Sequence, residues 1–525
     1  MNNQLYEETY SQVVEPTYGM RRDNVLDTAL DLEIGPHEYS IPSRTDMTKH
    51  ESYTIDPVGC TDADDAFSIF TEGGKMYLAI HIADPTECIP LSSALWRDTC
   101  NRVTTKYPSN RPPIHMMPAS VLSLASLQGT NAIKKAITVL SEISPDTYEM
   151  VNEIKLLFTD IRVGKETQYT YERASENMNT VNTLKHGIRI SEVLKHKRGQ
   201  LTKGVKLSEV NASYPVFEGD RVYLRTSEKG EKQMKEMIAE FAIFANSFVG
   251  EYLKIHLNVG IFRTCNASAW LQNVYQGISG QDLLKEIISN GIKADYLSHV
   301  SSHDLVGMAE YCHFTSPIRR LADCVCHYLL KYIHLNLTSE RQVAMPFSES
   351  VLEEYANRCL TVAKQDKKTQ YLDIKFRLLQ VIHNMLLRGE PVKLEYYVTS
   401  YSGLFLNVII SKINTFQTSD KTSDKTSDKT SDKTSDKTSD KTSEGSDSCF
   451  ATKGSDSCFA TKGSDSCFAS FDVHMSYTLR VKKYDKPIDP KQTHCVEITR
   501  VNCFTKHDEN TLPELDAQLL RGVNN

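Results

Sequence analysis

The 525-residue chain is 40% hydrophobic and 24% charged, a globular balance with length enough for two to four domains. No apolar run approaches the eighteen or so residues that a membrane span needs, and the polar, acidic start MNNQLYEETYSQ lacks the basic and apolar regions of a secretion signal. The net charge of −7 speaks against a basic nucleic-acid binder, but a repeat tract contributes −2 and one aspartate cluster −4, so the remainder is nearly neutral.

Residues 1–43 are polar, with Gly35 and Pro36 near their end, and are expected to form a short extension rather than a domain. From 44 to about 165 the strand-like segments SYTI, AFSIF, MYLAIHIA and KAITVLSEI dominate. Helical spacing then takes over, in 234–253 and in 317–335. Strands followed by packed helices predict an α+β, or mixed α/β, unit over 44–388. Alternating segments resume at 390–411 and 476–503 and predict a small β-barrel over 389–506, followed by a tail at 507–525. The barrel is interrupted at 417–470 by six TSDK tetrads and three copies of GSDSCFA. That tract has too little apolar content to form a core and is expected to be a disordered loop.

The thirteen cysteines show no tight metal spacing. Cys324 and Cys326 lie about 200° apart on a helix and cannot share an ion. Free thiols in a reducing compartment are the expectation: cytoplasm, with the nucleus as the alternative.

The stretch TIDPVGCTDADDAFSIF sets Asp56, Asp62, Asp64 and Asp65 between strand-like flanks. Asp62 and Asp64 share a face on an extended chain, and Pro57 and Gly59 allow a turn that brings Asp56 near them. Converged carboxylates suit a hard cation such as Mg²⁺, and a pair of such ions would activate water and steady a leaving phosphodiester oxygen. A helix-loop-helix calcium site fails, since position six is Phe67 or Thr61 rather than Gly. A solvated acidic loop is the remaining alternative.

In YCHFTSPIRRLADCVCHYLL, Ser316 as N-cap and Pro317 at the first helical position predict a helix start. Arg319 and Arg320 then fall in the first turn, against the helix dipole, where a bound anion would explain them. The alternative is a surface pair with Arg319 bonded to Asp323 at i,i+4 spacing.

Together, IDPVGCTDADDAFS and HFTSPIRRLAD closely resemble the two signature blocks of the ribonuclease II / ribonuclease R (RNB) superfamily. The wording of the first block looks like that of the branch holding the eukaryotic exosome's catalytic subunit. SRTDMT (43–48), YLAIHIADPT, TTKYPSNRPPIHMMPASVLSLASL and IAEFAIFANSFV support it in order. The resemblance implies an RNB-type catalytic domain followed by an RNA-binding barrel of OB type. It further implies a processive, Mg²⁺-dependent 3′→5′ exoribonuclease on single-stranded RNA, releasing nucleoside 5′-monophosphates, with Mn²⁺ as a substitute ion. Asp56, Asp62, Asp64 and Asp65 match the metal-binding and catalytic aspartates, and Arg319 the arginine that steadies the scissile phosphate, with Arg320 beside it. Tyr107 matches a tyrosine that stacks on a terminal base, with core packing as its alternative. Glu240 and Asn246 match positions on a helix lining the site, either as RNA contacts or as buried structural groups. A monomer is expected, with partners in an RNA-decay complex left open.

Three departures from the pattern stand out. Leu321 replaces a usual tyrosine, Gln365 stands where bacterial members carry an acid, and the extension before 44 is too short for two further OB modules. The short extension and the barrel split by the repeat tract predict weaker RNA capture and less processivity than in a full-length family member, with the chemistry intact. The alternatives are a catalytically silent RNA-binding protein of the same fold and a hydrolase of another phosphodiester such as DNA.

Overall fold

The computed structural model describes residues 3–109, 111–201, 213–218, 221–267, 269, 292–338, 342–389, 392–402, 405–414, 476–481, 494–502 and 514–518. The repeat tract lies outside them.

Strands β1 (Thr45–Asp46), β2 (Ser52–Asp56), β3 (Asp65–Glu72), β4 (Lys75–Ala83), β5 (Ile133–Ile143) and β6 (Lys155–Thr170) form one sheet in the order β1-β6-β2-β3-β4-β5. β6 pairs with β5 through residues 155–162 and with β2 through residues 163–170, so the sheet curls back on itself. The alternating Val, Ile, Thr and Phe of these segments suit a pleated surface with at least one covered face. A polar ladder crosses the sheet interior. Ser52, Ser68, His81, Thr138 and Thr159 join through successive hydrogen bonds of 3.1, 3.0, 2.8 and 2.7 Å. Each of these buried polar groups is therefore satisfied by a neighbour on the next strand.

The α-helices among the described residues are α1 (Asn3–Thr9), α2 (Asn24–Asp31), α3 (Ala94–Arg102), α4 (Ala119–Ala125), α5 (Tyr171–Asn177), α6 (Asn182–Leu201), α7 (Lys229–His256), α8 (Leu321–Leu337) and α9 (Glu349–Leu387). None of the described helices is long and apolar enough to cross a membrane. α7 and α8 bury nearly continuous apolar stretches against the sheet, and one contiguous core runs from Leu30 to Cys359. The extension contributes a second small core of its own, in which Tyr6, Tyr10, Val14 and Tyr18 pack on Ile114 and on Phe376 of α9. The eight cysteines from Cys60 to Cys359 are free thiols.

Short pairs β7 (Ser213–Glu218) with β8 (Arg221–Thr226) and β9 (Val259–Thr264) with β10 (Asp295–His299) flank the helices. Beyond α9, strands β11 (Val392–Ser402), β12 (Phe405–Asn414), β13 (Ser476–Val481), β14 (His494–Asn502) and β15 (Glu514–Gln518) close into a barrel in the order β11-β12-β13-β15-β14. Five strands in this closed order match the OB-type arrangement. The barrel reaches past residue 506. β15, read from sequence as tail, pairs antiparallel with β14 and parallel with β13. Its segment ELDAQ has little strand propensity, and its pairing partners, not its composition, make it a strand.

Candidate active site

The aspartate stretch is a strand, a tight turn and a pinned loop. Asp56 ends β2 and is buried. Cys60 N–H donates to Pro57 O (3.2 Å), and Gly59 between them takes φ +77°, the left-handed value that the third residue of a type II turn requires. Ala63 is then fixed on both sides: its N–H donates to Ser126 Oγ (3.0 Å), and its carbonyl accepts from Leu127 N (2.9 Å). With Ala63 held there, the flanking carboxylates of Asp62 and Asp64 are carried to the segments opposite. Both are almost fully buried.

Asp64 meets the arginine turn. Its Oδ1 accepts from Ile318 N–H and its Oδ2 from Arg319 Nε, each at 2.9 Å. Arg319 also donates through Nη2 to Ser316 Oγ (2.7 Å). Asp62 Oδ2 accepts from the Tyr107 hydroxyl (2.9 Å) and lies 4.0 Å from His115 Nδ1. Asp65 opens β3 opposite Ile82 and, half-buried, lines a small pocket together with Phe67, Ile238, Phe241 and Thr315.

The helix after the arginines begins later than its sequence suggests. α8 starts at Leu321, not Pro317, and Arg320 occupies the cap position with extended backbone (φ −139°, ψ 130°). Residues 103–105 compete for the backbone of the expected first turn. Thr105 N donates to Arg319 O (3.1 Å), Leu321 N donates to Val103 O (2.8 Å), and Thr104 bridges Arg320. The two arginines therefore part ways. Arg320 turns inward to Asp323 through Nη2 (2.9 Å), and Ser316, rather than capping, donates its N–H to the same Asp323 (2.7 Å). Arg319 pairs with Asp64, not with Asp323.

A profile of the RNB domain matches residues 44–336 of the chain. This chain belongs to the RNB-domain family. Human exosome complex exonuclease RRP44 is 27% identical over 344 residues, 56% of this chain and 35% of that protein. The RNase R of Mycoplasma genitalium, solved with ribose-methylated single-stranded RNA, shares the fold at a TM-score of 0.62 with 16% identity, covering 78% of this chain and 68% of that one. Yeast Ssd1, a pseudonuclease, does so at 0.54 with 18% identity, covering 72% and 50%. The chain spans less than two thirds of the length of the curated relatives it matches.

Within the RNB domain, the carboxylate oxygens of the quartet are the hard donors that Mg²⁺ takes. Among the described residues no three His, Cys, Asp or Glu side chains stand close enough to share an ion. By the chemistry of their oxygen donors the four aspartates fit a hard cation, with Asp64 held meanwhile by Ile318 and Arg319.

The two α7 residues hold protein groups. Glu240 pairs with Arg198 of α6 (Nε at 3.0 Å). Asn246, fully buried, donates to the Tyr311 hydroxyl (3.1 Å) and accepts from Phe314 N (2.8 Å), fixing the segment that leads into the arginine turn. Gln365 is exposed on α9, but its neighbour Asp366 reaches Lys106 Nζ (2.6 Å), next to Tyr107. An acid on this helix thus approaches the site one position along.

Sequence reasoning missed a charge cluster one step behind the site. Ala83 N donates to Asp64 O (2.8 Å), and the next residue, Asp84, accepts from Arg44 Nη2 (2.6 Å) and pairs with Lys331 (3.0 Å). Glu87 accepts from the same Arg44 (2.6 Å) and from Lys331 (2.8 Å). Burial works to raise both acids, but Lys331 and Arg44 overcome it, holding Asp84 well below the carboxylate range and Glu87 below its usual value. Arg44 stands in the SRTDMT motif and Asp84 before Pro85. Only those flags existed in sequence, because Lys331 lies 244 residues from Glu87.

Proposed function

We propose that the chain is a 3′→5′ exoribonuclease that shortens single-stranded RNA processively and releases nucleoside 5′-monophosphates. The observation that carries this reading is the contact between Asp64 and Arg319, which joins the two signature blocks across 255 residues in one buried turn. The naming of human RRP44 as an exonuclease and the RNA bound to the M. genitalium RNase R support it.

In this reading the Arg319 guanidinium, steadied by Ser316, receives the scissile phosphate, where a planar, always-charged fork suits two phosphate oxygens. The half-buried Tyr107 ring offers a stacking face indifferent to base identity. Asp64 and Asp65 hold the catalytic carboxylates beside it. Mg²⁺, with Asp56, Asp62, Asp64 and Asp65 as its donors and Mn²⁺ as a substitute, would supply an activated water when bound. Arg320 and Asn246 act indirectly, by holding the turn's backbone.

A second reading, a silent RNA-binding protein, is favoured by the likeness to the pseudonuclease Ssd1. Retention of all four aspartates together with Arg319 weighs against it. Incubating 5′-labelled single-stranded RNA, and matched DNA, with the protein and Mg²⁺, Mn²⁺ or EDTA separates the two. The proposal expects an RNA ladder that shrinks from the 3′ end with either ion, and not with EDTA or in Asp64→Asn. Tight RNA binding without shortening in any ion would replace it with the binding protein, and equal shortening of DNA would remove the RNA restriction.

A further inference from the structure

The extension read from sequence as a mere appendage is tied to the segment that carries Tyr107. Asp373 on α9, fully buried, is the hub. Its Oδ2 accepts from the Tyr10 hydroxyl (2.9 Å), the Tyr18 hydroxyl (2.6 Å) and Ser109 N–H (2.7 Å), and its Oδ1 accepts from Ser109 Oγ. Arg377, one turn further along α9, donates to Ser109 Oγ (3.0 Å), pairs with Glu7 (2.7 Å) and lies 4.0 Å from the centroid of the Tyr10 ring.

A second tie sits two turns back on the same helix, where Asp366 holds Lys106. The spacing of the two ties matches. Lys106 and Ser109 are three residues apart, about 10 Å on an extended chain. Asp366 and Asp373 are seven apart, about 10.5 Å along one face of a helix. α9 thus grips the chain on both sides of Tyr107, whose hydroxyl reaches Asp62.

We infer that Asp373 is a positioning residue for Tyr107, and that Tyr10 and Tyr18 complete the clamp by fixing the Asp373 carboxylate. Burial and the Asp373 charge push both phenols up, so they stay donors throughout the neutral range. The clamp sets where the Tyr107 ring meets the terminal nucleotide; this role rests on the functional reading above.

The test is the double variant Tyr10→Phe/Tyr18→Phe, which keeps both rings in the small apolar core and removes only the hydroxyls. Losing these hydrogen bonds is expected to raise KM for single-stranded RNA by about three- to tenfold, with kcat changed by less than about twofold. Amide exchange across residues 105–117 should speed up in the same variant. In a Tyr107→Ala background the two Tyr→Phe changes should add almost nothing to KM, because the ring they position is gone. Asp373→Asn, which retains one acceptor oxygen, should fall between wild type and the double variant. Unchanged exchange, or the same fold-increase in KM with and without the Tyr107 ring, would overturn the inference in an active protein. A wild-type chain that neither binds nor shortens RNA would overturn the functional reading and the reaction role with it, while the exchange measurement still decides whether the clamp holds the segment.

Discussion

Two sets of acids lie back to back in the RNB domain, separated by the Asp64–Ala83 backbone contact, and they are built on opposite principles. Behind the sheet, Asp84 and Glu87 share Arg44 and Lys331, two acids against two bases, all but sealed from water. In front, four carboxylates fall within one ten-residue stretch, and Arg319 meets one of them. The rear set is balanced, as buried charges must be if they are not to cost several kcal/mol each. The front set lacks that balance, and in the proposed function its acids and its arginine serve the chemistry.

The comparison breaks most sharply at its rear half. Lys331→Met leaves two buried carboxylates with one fewer cation and should destabilise the chain by about 3–5 kcal/mol, read as a lower urea midpoint. A shift under 1 kcal/mol would show that Arg44 suffices together with the more exposed Lys135, whose Nζ lies 3.4 Å from Glu87. Next comes the front half. Arg319→Ala should slow RNA shortening by about 10²–10³-fold while moving the urea midpoint less than Lys331→Met does. The reverse order of effects would make the front a structural cluster like the rear.

Acid tests a third buried set, the polar ladder. Burial, helped by the His50 charge, pushes His81 down to about 3 from an ordinary 6.5. Between those values the unfolded chain binds a proton that the folded chain does not, so stability is full above pH 6.5 and falls as pH drops toward 3. The slope is about 1.4 kcal/mol per pH unit from this group. His81→Gln should flatten the urea midpoint between pH 6 and pH 4; an unchanged slope would place the acid sensitivity elsewhere. Smallest is Tyr107→Phe, which keeps the ring and removes the bond to Asp62. A two- to tenfold loss of RNA shortening is expected, from about 0.5–1.5 kcal/mol. A loss as large as that of Arg319→Ala would move Tyr107 from positioning into the chemistry itself.

Much of this was legible in the sequence, and the rest had physical reasons to be hidden. Strand alternation located β2 to β5, and helical spacing located α7, because side-chain periodicity is a local property. Gly59 announced its turn because a positive φ is a single-residue demand. The helix beginning at Leu321 was misplaced by four residues: Ser316-Pro317 is a sound local start signal, but it was overruled by backbone hydrogen bonds to residues 103–105. β15 escaped notice because its strand character comes from its partners.

By itself, then, the sequence determined the family, the quartet of aspartates and the arginine pair, since all of these are runs of neighbouring residues. Only the tertiary structure decided which arginine faces Asp64, that Asp373 binds the extension to the Tyr107 segment, and that Arg44, Asp84, Glu87 and Lys331 neutralise one another. Each of those outcomes depends on partners that the folded backbone brings together from tens to hundreds of residues apart, and no local spacing encodes such a meeting.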